Sequence, residues 1–258
     1  MECWHMSGAG NDFMVVDGRG QALRYAAMAV ALCKKTGADG FMAVDTSDKG
    51  DFRLHFYNSD GSRGEMCGNG SRCVCRFAYE KGIAPESMSV ETDAGIVYGW
   101  RLGEEQYRVQ LNNPGVLDLH RKGDIGYVEL GCPGVPHGVV EVPGFTWADK
   151  EALKPRAEAL RHDPAFPKGA NINLYTFLDD TTVRVLTFER GVEDYTLACG
   201  TGCGSVASVL WTKGLLPGGV LRAENQGGTL QVTVEGDAGK VSRLLLEGPA
   251  QVVKVYKI

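Results

Sequence analysis

Shifted along itself by 132 positions, this chain of 258 residues falls onto itself. The shift lays Cys67-Gly68-Asn69-Gly70 on Cys199-Gly200-Thr201-Gly202. It also lays Leu54 on Leu186, Phe56 on Phe188, Val74 on Val206, Lys81 on Lys213, Gly82 on Gly214, Pro85 on Pro217 and Gly95 on Gly227. No gap is needed across that span, and the same shift sets His5 on His137 and Gly37-Ala38 on Gly169-Ala170. With a slip of three residues Pro114 lands on Pro249. Solenoids and propellers repeat every roughly 20–50 residues, so a repeat of this length predicts two copies of one domain related by an approximate two-fold axis. The expected boundary falls at Asn113-Pro114. Residues 1–113 form an N-terminal domain completed by the last strand, 252–258, and residues 114–251 form the C-terminal one. The active site is expected in the cleft between them.

The local pattern within each copy sets the fold class. Trp4 to Asp17 reads as strand, Gly-rich turn, strand, and the apolar spacing over 22–35 reads as a helix stopped by Gly37. Strands are expected over 41–44 and 53–57, then a helix over 69–81 closed by Gly82, then strands over 87–91, 95–101 and 107–111. The second copy repeats the order, with helices over 149–160 and 201–213. Few helices among many strands predict an α+β unit in which a mostly antiparallel sheet wraps one central helix. The central helices look poor in charge, with none over 205–211, which favours their burial.

Hydrophobic residues make up 43% of the chain and charged ones 23%, with no apolar run near the roughly 20 needed to span a bilayer, so a soluble protein is expected. The start, Met1-Glu2-Cys3-Trp4-His5, lacks a basic and apolar leader, so a cytoplasmic location is expected. A net charge of −5 gives no reason to expect nucleic acid, nor is a membrane partner indicated. A small molecule is the expected ligand, and a homodimer is among the assemblies open to such a chain. Without an export signal, the eight cysteines read as free thiols. Cys3, Cys33, Cys73, Cys75, Cys132 and Cys203 are expected to be small buried apolar residues, and no metal site is expected because paired zinc-ligand spacing is absent.

Cys67 and Cys199 differ from the rest by their setting. At a helix start the glycines let the backbone approach a ligand, and the first N–H groups have no partner within the helix. An anion suits that position, and the helix dipole favours the thiolate. Two such starts would hold one carboxylate between two sets of donors and present thiols to both sides of the attached carbon. A thiolate could then remove a proton from one face while a thiol returned one to the other, without a metal or organic cofactor. The charge built on the carboxylate is what the N–H donors stabilise, by roughly 3–4 kcal/mol each in oxyanion holes.

Six blocks in order carry a family resemblance: Gly8-Ala9-Gly10-Asn11-Asp12-Phe13, Asn58-Ser59-Asp60-Gly61-Ser62, Cys67-Gly68-Asn69-Gly70, Pro136-His137, Glu189-Arg190-Gly191 and Ala198-Cys199-Gly200-Thr201-Gly202. The chain resembles the diaminopimelate epimerases and their PLP-independent amino-acid racemase relatives over nearly its whole length. The resemblance implies two similar domains, cofactor-free conversion of LL-diaminopimelate to the meso form, a step toward lysine and cell-wall precursors, and Cys67 and Cys199 as its acid-base pair. It implies substrate contacts from Asn11, Asn58, Gly68, Asn69, Asn171, Glu189, Arg190, Gly200 and Thr201, with His137 in support. Independently, Arg190 offers a planar fork to a carboxylate and Glu189 an acceptor to an ammonium.

Three positions depart from the family pattern: Val135 stands where an asparagine usually precedes Pro-His, Gly138 follows that histidine, and Tyr195 replaces a usual glutamate. They leave open a racemase of another amino acid, such as histidine or glutamate, with the same two cysteines. A reading from another class is a non-catalytic redox sensor in which Cys67 and Cys199 form a reversible disulfide. Isomerases of the phenazine-biosynthesis type share the duplicated architecture but lack the paired cysteines.

Overall fold

A computed structural model describes every residue of the chain except 65, 66, 94 and 238. It packs as two units, one of Met1–Gln110 with Glu247–Ile258, the other of Leu111–Leu246.

In the first unit the strands are β1 (Glu2–Gly8), β2 (Asn11–Asp17), β3 (Gly40–Asp45), β4 (Phe52–Asn58), β5 (Ser87–Thr92), β6 (Gly95–Arg101) and β7 (Gln106–Leu111), with helices α1 (Tyr25–Thr36) and α2 (Gly68–Glu80). Strands β1/β2, β3/β4, β5/β6 and β6/β7 pair antiparallel, while β2/β3 and β4/β5 pair parallel. Side chains alternate across a sheet, and here both faces are covered. Met14, Val16, Phe41 and Ala43 pack with Ala29 and Cys33 of α1. The residues between them serve the other helix: a Cβ on Gly70 of α2 would lie 1.9 Å from Met42 Cε and 3.3 Å from Phe13 Cε1. This is why 13–16 and 41–44 are unbroken apolar runs. The C-cap of α1, Gly37, adopts φ 78° and donates its N–H to the Cys33 carbonyl, as its sequence position predicts.

The second unit comprises β8 (Pro114–Lys122), β9 (Ile125–Gly131), β10 (Gly134–Glu141), α3 (Lys150–Arg161), β11 (Asn171–Phe177), β12 (Thr182–Glu189), β13 (Asp194–Thr196), α4 (Gly200–Thr212), β14 (Val220–Asn225), β15 (Gly228–Asp237) and β16 (Lys240–Pro249) as far as Leu246, the last three residues of β16 belonging to the first unit. Strand β10 runs parallel to β11 and β12 parallel to β14, and the pairs β8/β9, β9/β10, β11/β12 and β14/β15 are antiparallel. A final strand, β17 (Gln251–Lys257), pairs with β1 in the first unit. The fold is thus α+β with a mostly antiparallel sheet in each unit. Among the described residues no helix is long and apolar enough to cross a membrane.

One sequence match does not survive folding. The partner running parallel to β3 is β2, whereas the one running parallel to β11 is β10, so β10 corresponds to β2 and not to β1. His5 lies on β1, so its alignment with His137 of β10 is a coincidence of spacing. Gly37 follows α1 directly, but residues 162–168 intervene between α3 and Gly169, which shifts everything earlier in the two copies out of register. Cys132 is a second correction: it is exposed, whereas Cys3, Cys33, Cys73, Cys75 and Cys203 are buried as expected.

Candidate active site

Cys67 is the N-cap of α2, its backbone extended at φ −117° and ψ 111°, and its carbonyl accepts the Ser71 N–H at 2.8 Å. The thiol is half-buried, and Gly68, Asn69 and Gly70 behind it are buried. Asn11 arrives from a two-residue turn between β1 and β2, in which Ala9 (φ 57°) and Gly10 (φ 87°) both take left-handed conformations suited to a tight hairpin. Period-two alternation puts Asn11 on the same face of β2 as Phe13, toward α2. There its Oδ1 accepts Asn69 Nδ2 at 2.6 Å. Asn58 ends β4 and donates to Ser62 Oγ at 2.9 Å within its own turn.

The second unit repeats the device. Cys199 is the N-cap of α4 at φ −124° and ψ 109°, and its carbonyl accepts the Cys203 N–H at 2.9 Å. Its Sγ accepts the Gly202 N–H at 3.3 Å and lies 3.4 Å from Thr201 Oγ1. Gly200 is buried and Thr201 half-buried. The expectation of an acidified thiol is reversed here. Burial first, then the charge of Glu189, push Cys199 up, and this outweighs the hydrogen bonds from Thr201 and Gly202. Cys199 is therefore a thiol near neutral pH. Cys73 and Cys75 are pushed up to about 12 by burial, as inert core residues should be.

Beneath α4 lies a polar group that the apolar pattern of the strands does not announce. Ile172, Leu174, Leu186 and Phe188 pack in the core cluster with Ala157 and Leu160 of α3. Alternation therefore gives the opposite face of β11 and β12 to Asn171, Asn173, Thr187 and Glu189, and that face carries α4. Asn173 Oδ1 accepts Thr187 Oγ1 at 3.0 Å, while Nδ2 donates to the Gly138 carbonyl at 3.0 Å. Because Nδ2 must be the donor, His137 Nδ1, 3.2 Å away, must accept, which puts the imidazole proton on Nε2. His137 has no exposed surface, and burial with the nearby charge of Arg190 drops its pKa to about 3. Asn171 Oδ1 accepts the Arg190 N–H at 2.8 Å, and Arg190 Nη1 donates to the Lys168 carbonyl at 3.0 Å. Asn171, Glu189, His137 and the α4 start thus share one side of the sheet, with Arg190 tied to Asn171 through its backbone N–H, and His137 is a neutral imidazole rather than a cation.

This makes a pH prediction. The folded His137 binds no proton between about pH 6.5 and 3, while the unfolded chain does. It should therefore subtract stability as pH falls through that window, and its imidazole nitrogens should show no titration from pH 8 to 5 by NMR. A His137 resonance titrating near 6.5 would refute the assignment.

Two of the three departures have packing explanations. Tyr195 is 8% exposed and packs edge-on against Phe188 at 5.7 Å, so it belongs to the core of the second unit. At Gly138 a Cβ would lie 2.9 Å from Ile172 Cδ1, so a side chain there would have to displace that terminal methyl. Asn173, Thr187 and Arg72 were not read as functional from sequence. For Asn173 the signal was present: an asparagine two residues beyond Asn171 on one strand face.

Comparison with known proteins gives the family and the fold. The sequence profile of the diaminopimelate epimerase family matches residues 3–113 and 132–253. A diaminopimelate epimerase of Aquifex aeolicus is 38% identical over 84% of this chain and 83% of its own, and one of Hydrogenobaculum is 33% identical over 97% and 95%. The fold is also that of a Bacillus anthracis phenazine biosynthesis protein of the PhzF family, with TM-score 0.75 and 19% identity over 100% of this chain and 98% of that one. A hydroxyproline epimerase of Agrobacterium vitis superposes with TM-score 0.69 at 15% identity, over 99% and 91%. With the family profile covering most of both copies and both cysteine helix starts in place, the chain belongs to the diaminopimelate epimerase family.

Proposed function

We propose that this isomerase inverts one Cα of LL-diaminopimelate to give the meso form, using Cys67 and Cys199 as a thiolate–thiol pair. The carrying observation is the repeated helix start, a cysteine N-cap in the same extended conformation with glycine behind it in each unit. Cys199, kept protonated by its burial, begins as the acid, so Cys67 begins as the base. The thiolate takes the Cα proton, electron density moves onto the substrate carboxylate, and the other thiol returns a proton to the opposite face. Gly68, Asn69, Gly200 and Thr201 meet the developing charge with N–H and side-chain donors. Asn11, Asn58, Asn171, Glu189 and Arg190 recognise the amino-acid groups of the substrate, and His137 supports Cys199 as a neutral donor. The reaction needs no cofactor. We assign the enzyme to the cytoplasm, with a small amino acid as its partner, no nucleic acid or membrane, and a homodimer compatible with the role.

Val135 favours a second reading, because it offers no amide where one is usual: a racemase of another amino acid, such as histidine or glutamate. Incubation in D₂O with LL-diaminopimelate and, separately, a panel of L-amino acids distinguishes them. Deuterium at Cα with inversion is expected for diaminopimelate. Exchange confined to another amino acid would retain the two-thiol chemistry and reassign the substrate.

A further inference from the structure

The expectation of charge-poor central helices fails in the first unit, where α2 carries Arg72 with no exposed surface. A guanidinium withdrawn from water is costly unless its N–H groups are used. Here Nη1 donates to Asn69 Oδ1 at 3.0 Å and to the Gly68 carbonyl at 3.4 Å, while Nε reaches the Pro249 carbonyl at 3.3 Å. Asn69 hands the direction on. Its Nδ2 donates to Asn11 Oδ1, and Asn11 Nδ2 donates at 3.4 Å to Asp39 Oδ2, which also accepts the Asp12 N–H at 2.9 Å.

The ends of this chain have a fixed sense, because a guanidinium only donates and an ionised carboxylate only accepts. Neither amide between them can flip without setting oxygen against oxygen and N–H against N–H. The repeat shows that the shared fold does not require the arrangement. The position matching Arg72 in the second copy is Gly204, packed close to the side chain of Leu111 and with no side chain of its own to make such bonds.

We infer that Arg72 is a positioning residue for substrate binding: anchored in the core, it holds the amides of Asn69 and Asn11 in one orientation at the α2 start. The inference rests on the assignment of Asn11 and Asn69 to substrate contact. It is tested by steady-state kinetics with LL-diaminopimelate on Asn69→Ala, Arg72→Met and the double variant, with thermal melts alongside. Arg72→Met is expected to raise KM about tenfold, as for loss of one charge-assisted hydrogen bond, with a smaller change in kcat. In the Asn69→Ala background the same change should add almost nothing to KM. Arg72→Lys, which keeps the charge and a donor, should recover part of the affinity.

Full additivity on KM would make Arg72 merely structural and overturn the inference alone. An unchanged KM in Asn69→Ala would overturn the site assignment, and the inference with it. Should Arg72→Met not fold, Arg72→Lys decides. It keeps the charge but loses the planar fork and should raise KM roughly threefold, an effect absent in the Asn69→Ala background. No effect of Arg72→Lys, or the same rise in both backgrounds, would overturn the inference.

Discussion

Alanine at either Cys67 or Cys199 lowers the rate of Cα inversion by about 10³–10⁴-fold, and alanine at both lowers it hardly further. Inversion needs one group to take a proton and another to give one, so each cysteine is indispensable and the losses do not add. Part of the Cys199→Ala effect has a structural source, since the Gly202 N–H then loses its acceptor at the helix start, worth about 1 kcal/mol of stability. Cys199→Ser keeps an acceptor there and separates the two contributions: it should melt as the parent does and still be inactive, because an alcohol is a far weaker acid than a thiol. Inversion rates and melting curves of the four variants check this. Full activity in one single alanine variant would sink the two-thiol mechanism.

Gly202→Ala lowers kcat/KM by about 100-fold, the scale expected when a reacting group moves by about an ångström. The new Cβ would lie 2.2 Å from Asn173 Oδ1 and 3.1 Å from Thr187 Oγ1. Asn173 cannot swing away cheaply, because its amide is held by the Gly138 carbonyl, His137 Nδ1 and Thr187. The start of α4 must therefore lift and carry Cys199 with it. Gly70→Ala in the first unit is the contrast, since its nearest obstacle is the terminal methyl of Met42, which has rotamers to spare. It should cost less activity. Gly218→Ala, in open space, is the neutral control. A kcat/KM for Gly202→Ala within threefold of the parent would show that the close approach of helix to sheet is not what sets Cys199.

Much of this was legible before folding. The helices expected over 69–81 and 201–213 are α2, Gly68–Glu80, and α4, Gly200–Thr212, because a glycine-flanked cysteine and a left-handed glycine bound each of them. The strands of the first copy were legible because their apolar runs are bounded by turn residues. Strand β8 was not, since its burial is intermediate to exposed along its length and it has no apolar face to announce it. Cys132 escaped its expected burial for a similar reason: a residue type states a preference, and the turn between β9 and β10 overrides it. The match of His5 with His137 failed because a fixed shift cannot represent an insertion, which only strand pairing reveals.

The amino-acid order by itself determined the duplication, the α+β class and the two cysteine helix starts, because these depend on spacing and on residue types at chain positions, while the candidate substrate residues came from the family resemblance. Tertiary structure decided what surrounds each group. Burial and the neighbouring Glu189 reversed the expected acidity of Cys199, and Asn173 fixed the tautomer of His137. A buried Arg72 came to orient Asn69, whose partner Asn11 lies far away in sequence. Solvation and hydrogen-bond direction depend on which atoms from distant segments meet, and the order of residues along the chain does not contain that directly.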